Sequence, residues 1–101
     1  MRKYAFYCYG DTQEFLDYYF LNLFFFAIEE LSLDINDCVF FTDTRGSFKE
    51  MFKLVGNLEE IQCLVVPSMK HFRDYDELCS LFIDNGIYVI DISKEDCCFQ
   101  Y

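Results

Sequence analysis

Apolar and polar positions along the chain follow two rhythms in turn. The run "KYAFYCY" (3–9) is almost continuously apolar and of strand length. "CVFFT" (38–42), "IQCLVV" (61–66) and "IYVIDI" (87–92) repeat that form. From about Thr12 to Leu31 apolar residues recur instead at helical spacing. Two shorter helices are predicted, one opening at Ser47 and running to about Val55, the other from about Asp74 to Asp84. The order is β-α-β-α-β-α-β. Strands that read as unbroken apolar runs are buried on both faces. The fold class predicted is therefore α/β, a small, mostly parallel sheet with helices on both faces. A single domain over residues 1–101 accommodates the pattern, with a tail from about residue 94.

Boundary residues sharpen these elements. Gly10 permits a tight turn after the first strand, and Asp11 or Thr12 caps the long helix, Asp11 with Glu14 matching the spacing of a capping box. "SLDIND" (32–37) breaks that helix. Ser47 with Glu50 is a second capping-box pattern, Gly56 ends the second helix, and Pro67 stops the third strand. Asn85-Gly86 reads as a left-handed C-cap.

In folds of this kind functional residues collect at the carboxyl ends of the strands. Here those ends are Gly10-Asp11, Thr42-Asp43, Pro67-Ser68 and Asp91–Ser93. Asp11 and Asp43 would suit a paired-carboxylate magnesium site for phosphoryl transfer. The third strand end adds no acid, however, and helix capping and turn formation account for both residues. The four glycines, Gly10, Gly46, Gly56 and Gly86, stand far apart at element boundaries, so no glycine-rich phosphate loop is present. Cys8, Cys38, Cys63 and Cys79 fall inside strand-like or helix-like runs and behave as buried thiols of a reducing cytosol. Cys97 and Cys98 are adjacent and His71 is the one histidine, which gives no zinc-binding spacing. No metal and no cofactor is expected.

Composition changes the picture in two ways. Aromatic residues make up 21% of the chain, with thirteen Phe and eight Tyr, more than so small a core hides easily. The formal net charge is −10, which disfavours direct binding to nucleic acid and suits a basic partner. The segment Phe15 to Leu31 is strongly apolar, but Asp17, Asn22, Glu29 and Glu30 interrupt it, so a soluble helix is expected rather than a membrane span. The opening "MRKYAFYCYG" lacks the apolar stretch of a secretory signal, and a cytoplasmic location is expected.

The stretches "YCYGDTQEFLDYYFLNL", "VFFTDTRGS" and "LEEIQCLVVPSMKHFRDYDELCSLFIDNGIYVIDIS" resemble, in order and spacing over about residues 3 to 93, the catalytic domain of serine recombinases, the resolvases and invertases. The resemblance implies a resolvase-like fold with an active site around the first strand end. It places Asp11 where that family has its nucleophilic serine and Tyr9 where it has a preceding arginine. Lys70 and His71 fall on an Asp-Arg pair, Arg73 matches the last motif arginine, and Arg45 stands near another basic position. A carboxylate at the nucleophile position cannot replace an activated hydroxyl and repels the scissile phosphate. Loss of the arginines removes the planar fork that grips phosphate. The layout thus implies a strand-end site without its catalysis, and no enzymatic activity is expected.

A small domain of this kind works by binding. On the long helix, Leu16, Phe20, Leu23, Phe24, Ala27 and Leu31 share the core side, and Glu14, Asp17, Tyr18, Leu21, Asn22, Phe25 and Glu29 the opposite one. Acids are expected there, whereas Tyr18, Leu21 and Phe25 mark either a partner surface or a face covered by another segment of the chain. In "RDYDEL" (73–78), Asp74, Asp76 and Glu77 surround Tyr75, as a second contact cluster or as favourable charges at a helix start. The expected function is a non-catalytic acidic binding protein acting on a basic, nucleic-acid-binding protein, its sharpest form a phage or mobile-element inhibitor of anti-CRISPR type. The alternatives are a decayed recombinase domain that self-associates as a homodimer or pairs with an active recombinase, and a metal-dependent enzyme built on Asp11 and Asp43.

Overall fold

The computed structural model describes residues 2–68, 75–93 and 98–99. Strand β1 (Lys3–Gly10) leads to helix α1 (Gln13–Phe25), which runs directly into a π-helical turn at Phe26–Glu30. A 3-10 turn at Ile35–Asp37 precedes β2 (Cys38–Thr44), and α2 (Lys49–Val55) and a second 3-10 turn (Leu58–Glu60) precede β3 (Ile61–Val66). Helix α3 (Tyr75–Asp84), β4 (Tyr88–Asp91) and β5 (Cys98–Phe99) complete the described elements.

The strand order is β2-β1-β3-β4-β5. β1 pairs in parallel with β2 on one side and β3 on the other, and β3 with β4. The chain is thus a small α/β fold with four parallel strands, as its sequence predicts. β5 is an addition: Val89 pairs with Phe99 and Ile90 with Cys98, antiparallel, within the segment for which the sequence predicts a tail and no element.

Each central strand feeds two cores, which is why the strands read as unbroken apolar runs. From β1, Phe6 and Cys8 join Cys63, Val65 and Ile90 against Leu16, Leu23 and Ala27 of the α1 side. Ala5 and Tyr7 join Phe41, Leu64, Val66 and Val89 against Met51, Leu54 and Phe82 on the other face. On the flank of α1 over β2, the Phe40 ring lies 4.9 Å from Phe6, 5.2 Å from Phe20 and 6.3 Å from Phe24. No described helix is long and apolar enough to cross a membrane.

Several boundaries have other causes than expected. Thr12, not Asp11, caps α1, its Oγ1 accepting from the Phe15 N–H at 3.2 Å. Gly10 is required by close approach rather than by a turn. A Cβ there would lie 2.5 Å from the Leu16 nitrogen and 2.8 Å from its Cα, so the end of β1 presses on the first turn of α1. The long helix ends as an α-helix at Phe25, not Leu31. The Leu31 N–H bonds to the Phe26 carbonyl, Leu33 N–H bonds to that of Ala27, and Ser32 takes the left-handed conformation at φ 52°. At about 100° per residue an unbroken α-helix would bring Glu30 within about 20° of Leu23, on the core side. The wider turn swings Glu30 outward, where it is exposed. At the end of α3 the expected C-cap is present. Gly86, at φ 74°, donates to Ile83, and Ile87 donates to Phe82.

Gly10→Ala should therefore destabilise the protein by about 1–3 kcal/mol, the cost of overpacking against immobile backbone. Ser32→Gly, which removes the left-handed penalty, should stabilise it by about 0.5–1 kcal/mol. Urea unfolding followed by circular dichroism measures both. Equal stability of all three chains would contradict the two close-contact and strain assignments.

Candidate functional site

Among the strand ends, Asp43 is the most connected. It is 2% exposed at the end of β2. Its Oδ2 accepts from the Tyr7 hydroxyl and the Met51 N–H, both at 3.0 Å. Its Oδ1 accepts from the Glu50 N–H at 3.0 Å and, more weakly, from the Ser47 hydroxyl at 3.4 Å. Asp43 therefore caps α2 from the strand before it. The Ser47–Glu50 capping box does not form, and Glu50 instead pairs with Lys53 at 2.9 Å. A carboxylate holding four donors has little left for a cation. Asp11 is exposed and has no hydrogen bond among the described residues, so the two acids have unlike environments. No group of three metal-ligating side chains occurs among the described residues.

The neighbours of Asp43 carry its charge as a perturbation. Burial, and then the Asp43 charge and hydrogen bond, raise the Tyr7 phenol well above its ordinary value. Burial, then Asp43, pushes the Cys8 thiol up to about 12, which makes it a poor nucleophile at neutral pH. At the end of β4, Asp91 is also buried, and its Oδ1 accepts from both the N–H and the hydroxyl of Ser93. Of the positions singled out by the recombinase resemblance, Tyr9 stacks on Phe48 at 6.1 Å and Arg45 lies in an exposed turn. Lys70, His71 and Arg73 lie outside the described residues.

The outer flank of α1 has a different character. Glu14, Asp17, Leu21 and Glu29 are exposed, as expected, Tyr18 is 61% and Phe25 52% exposed, and Asn22 is half-buried. Phe15 and Ile28 add exposed apolar surface that the sequence did not single out. Beside this flank runs an open groove of about 710 Å³. Tyr18, Tyr19, Asn22 and Phe25 line it from α1 and Phe26, Glu29 and Glu30 from the π-helical turn, while Pro67, Ile92 and Ser93 line it from just beyond the ends of β3 and β4. Residues 4–44 hold eight acids and no lysine or arginine, so this half of the chain is uniformly negative.

Tyr19, Phe26, Glu30, Pro67, Ile92 and Ser93 were not apparent as site residues in the sequence. The first three lie on a helix flank visible only once the sheet position is known, and the others come from distant strand ends. Of the second expected cluster, Asp74 lies outside the described residues. Tyr75, Asp76 and Glu77 open α3, and their side chains lie outside the described set as well.

Comparison with known proteins brings no match: no family model fits the chain, and no curated protein or solved structure resembles it significantly.

Asp43→Ala, which orphans Tyr7 and two backbone donors, should cost about 3 kcal/mol, and Asp11→Ala less than about 0.5 kcal/mol. Because the folded-state Tyr7 pKa is raised, its contribution is intact below the unfolded phenol value of about 10 and is lost as pH rises beyond it. Stability of the wild type should fall above about pH 10 more steeply than that of Tyr7→Phe. Parallel slopes in alkaline denaturant titrations would show that Tyr7 is not the group responsible.

Proposed function

We propose that this chain is a non-catalytic acidic binding protein that contacts a basic, nucleic-acid-binding protein through the outer flank of α1. The observation that carries this is the exposed ridge of Tyr18, Leu21 and Phe25, fringed by Glu14, Asp17, Glu29 and Glu30 with no basic residue between them. Aromatic anchors inside a charged rim are the composition of a protein interface rather than of a solvated face. The rim's sign selects a partner that itself handles phosphate. The structural commitment of Asp43 weighs against a paired-aspartate metal enzyme.

The resemblance to serine recombinases enters the proposal as a layout whose chemistry is missing: Asp11 stands at the nucleophile position, exposed. An inhibitor of a nucleic-acid-handling enzyme, carried by a phage or other mobile element, is the form of this function that the charge favours most. Self-association, or pairing with an active recombinase, is the competing form, and it would rest on the apolar part of the same ridge.

Affinity capture from a nuclease-treated bacterial lysate separates the two. A basic nucleic-acid-handling protein should be retained at about 50 mM salt and released at about 500 mM. A Glu14→Lys, Asp17→Lys variant should fail to retain it. Capture of only the chain itself or a recombinase, at both salt concentrations, would overturn the proposal and favour the decayed-recombinase form. A magnesium-dependent phosphatase or nuclease activity lost in Asp11→Ala would overturn the non-catalytic assignment.

A further inference from the structure

We infer that the groove beside α1 is an arginine site. It takes the guanidinium of a basic protein segment, stacked on Phe25 and paired with Glu29 and Glu30, with the flanking segment lying over Tyr18. This rests on the proposed basic partner and names the side chain by which that partner is held.

Four observations converge on this chemistry. First, four of the described lining residues are aromatic, Tyr18, Tyr19, Phe25 and Phe26, and none is basic. Aromatic faces carry negative potential and attract cations lying over them. Second, Glu29 and Glu30 line the groove, and neither carboxylate has a hydrogen bond or ion pair with any described residue. An apolar occupant would strip water from both without replacing it, which is costly. An anionic occupant would meet like charge. Third, the groove's volume of about 710 Å³ is that of a ligand site able to admit one long side chain with its flanking backbone. Fourth, the π-helical turn Phe26–Glu30 brings Glu30 out of the core side and beside Glu29. Such turns sacrifice regular helix geometry and recur where a helix serves a site.

Among cations the geometry favours arginine over lysine. A guanidinium is planar and weakly hydrated, so it can lie against a tyrosine or phenylalanine ring and still present N–H groups in its plane to carboxylates. A lysine ammonium is a strongly hydrated point charge, and it gains the carboxylates but little from the rings. Phe25 and Glu29 are i and i+4 on the same flank, one turn apart, so one guanidinium can reach that ring and that acid together, while Tyr18, seven residues earlier and about 10 Å along the axis, lies under the flanking segment.

The test is calorimetric titration of the full chain with an oligo-arginine and an oligo-lysine peptide of equal length, at about 50 mM salt. Oligo-arginine should bind about tenfold more tightly than oligo-lysine. Phe25→Leu keeps apolar area but removes the ring, and it should abolish that preference. Glu29→Gln with Glu30→Gln should weaken oligo-arginine binding about tenfold, and Glu59→Gln with Glu60→Gln, in the exposed 3-10 turn, less than about threefold. Circular dichroism confirms that each variant is folded. Equal affinity for the two peptides, or indifference to Phe25→Leu, overturns the arginine site and leaves the basic-partner proposal standing on other acids. Binding of neither peptide overturns both. A dimer dispersed by Phe25→Ala would fill the groove with a second copy and also overturns it.

Discussion

One buried carboxylate ties the carboxyl edge of the sheet together. Asp43 receives the Tyr7 hydroxyl from β1 and the Glu50 and Met51 N–H groups from α2, while belonging itself to β2. Helix α2 has only seven residues, too few to persist without anchorage. Its start is fixed by Asp43, and its burial by Met51 and Leu54 in the core that also holds Tyr7, Phe41 and Phe82. The same contact lets Tyr7, 1% exposed, bring a phenol into the interior with its hydroxyl satisfied. The strand end that in such folds commonly carries chemistry is here committed to architecture. On the other side of the sheet, the outer flank of α1 is where exposed aromatic and acidic side chains meet.

The two flanks of α1 differ although both are rich in phenylalanine. Phe20 and Phe24 reach Phe40 on β2 and complete an aromatic cluster with Phe6. Tyr18 and Phe25 face the groove side, with edge contacts to Tyr19 and Phe24 along the helix itself. Because β1 has β2 on one side and β3 on the other, a helix packed over β1 and β2 turns its far flank toward the ends of β3 and β4, where Pro67, Ile92 and Ser93 line the groove. The groove is a consequence of strand order, not of the helix sequence alone.

This explains what could be read in advance. The four parallel strands and three helices were legible because each carries its own periodicity and stop signal. β3 spans the predicted residues 61–66, and Gly86 ends α3 as its position suggests. Tyr18, Leu21 and Phe25 were legible as exposed because they oppose Leu16, Leu23 and Ala27 around the helix. What escaped depends on partners distant in sequence or on alternative local geometry. Asp43 caps a helix seven residues on, whereas capping boxes are sought within four. Gly10 looks like a turn residue until Leu16 is seen against it. The π-helical turn substitutes for an α-helix that would have buried Glu30. β5 pairs two of its described residues, too short a run to leave a pattern.

Charge decides between the occupants that the α1 flank could receive. Two copies meeting there would set Glu14, Asp17, Glu29 and Glu30 of one against the same four of the other, in a chain of net charge −10. Isologous contact places like against like. Repulsion between juxtaposed acids costs more as the rings exclude water and screening ions from between them. A basic segment reverses the sign of every one of those terms while still covering Tyr18, Leu21 and Phe25. The apolar ridge supplies contact area to either occupant. In the proposed binding mode the acids around it penalise a second copy and reward a basic partner, which would put selectivity in the rim and adhesion in the rings.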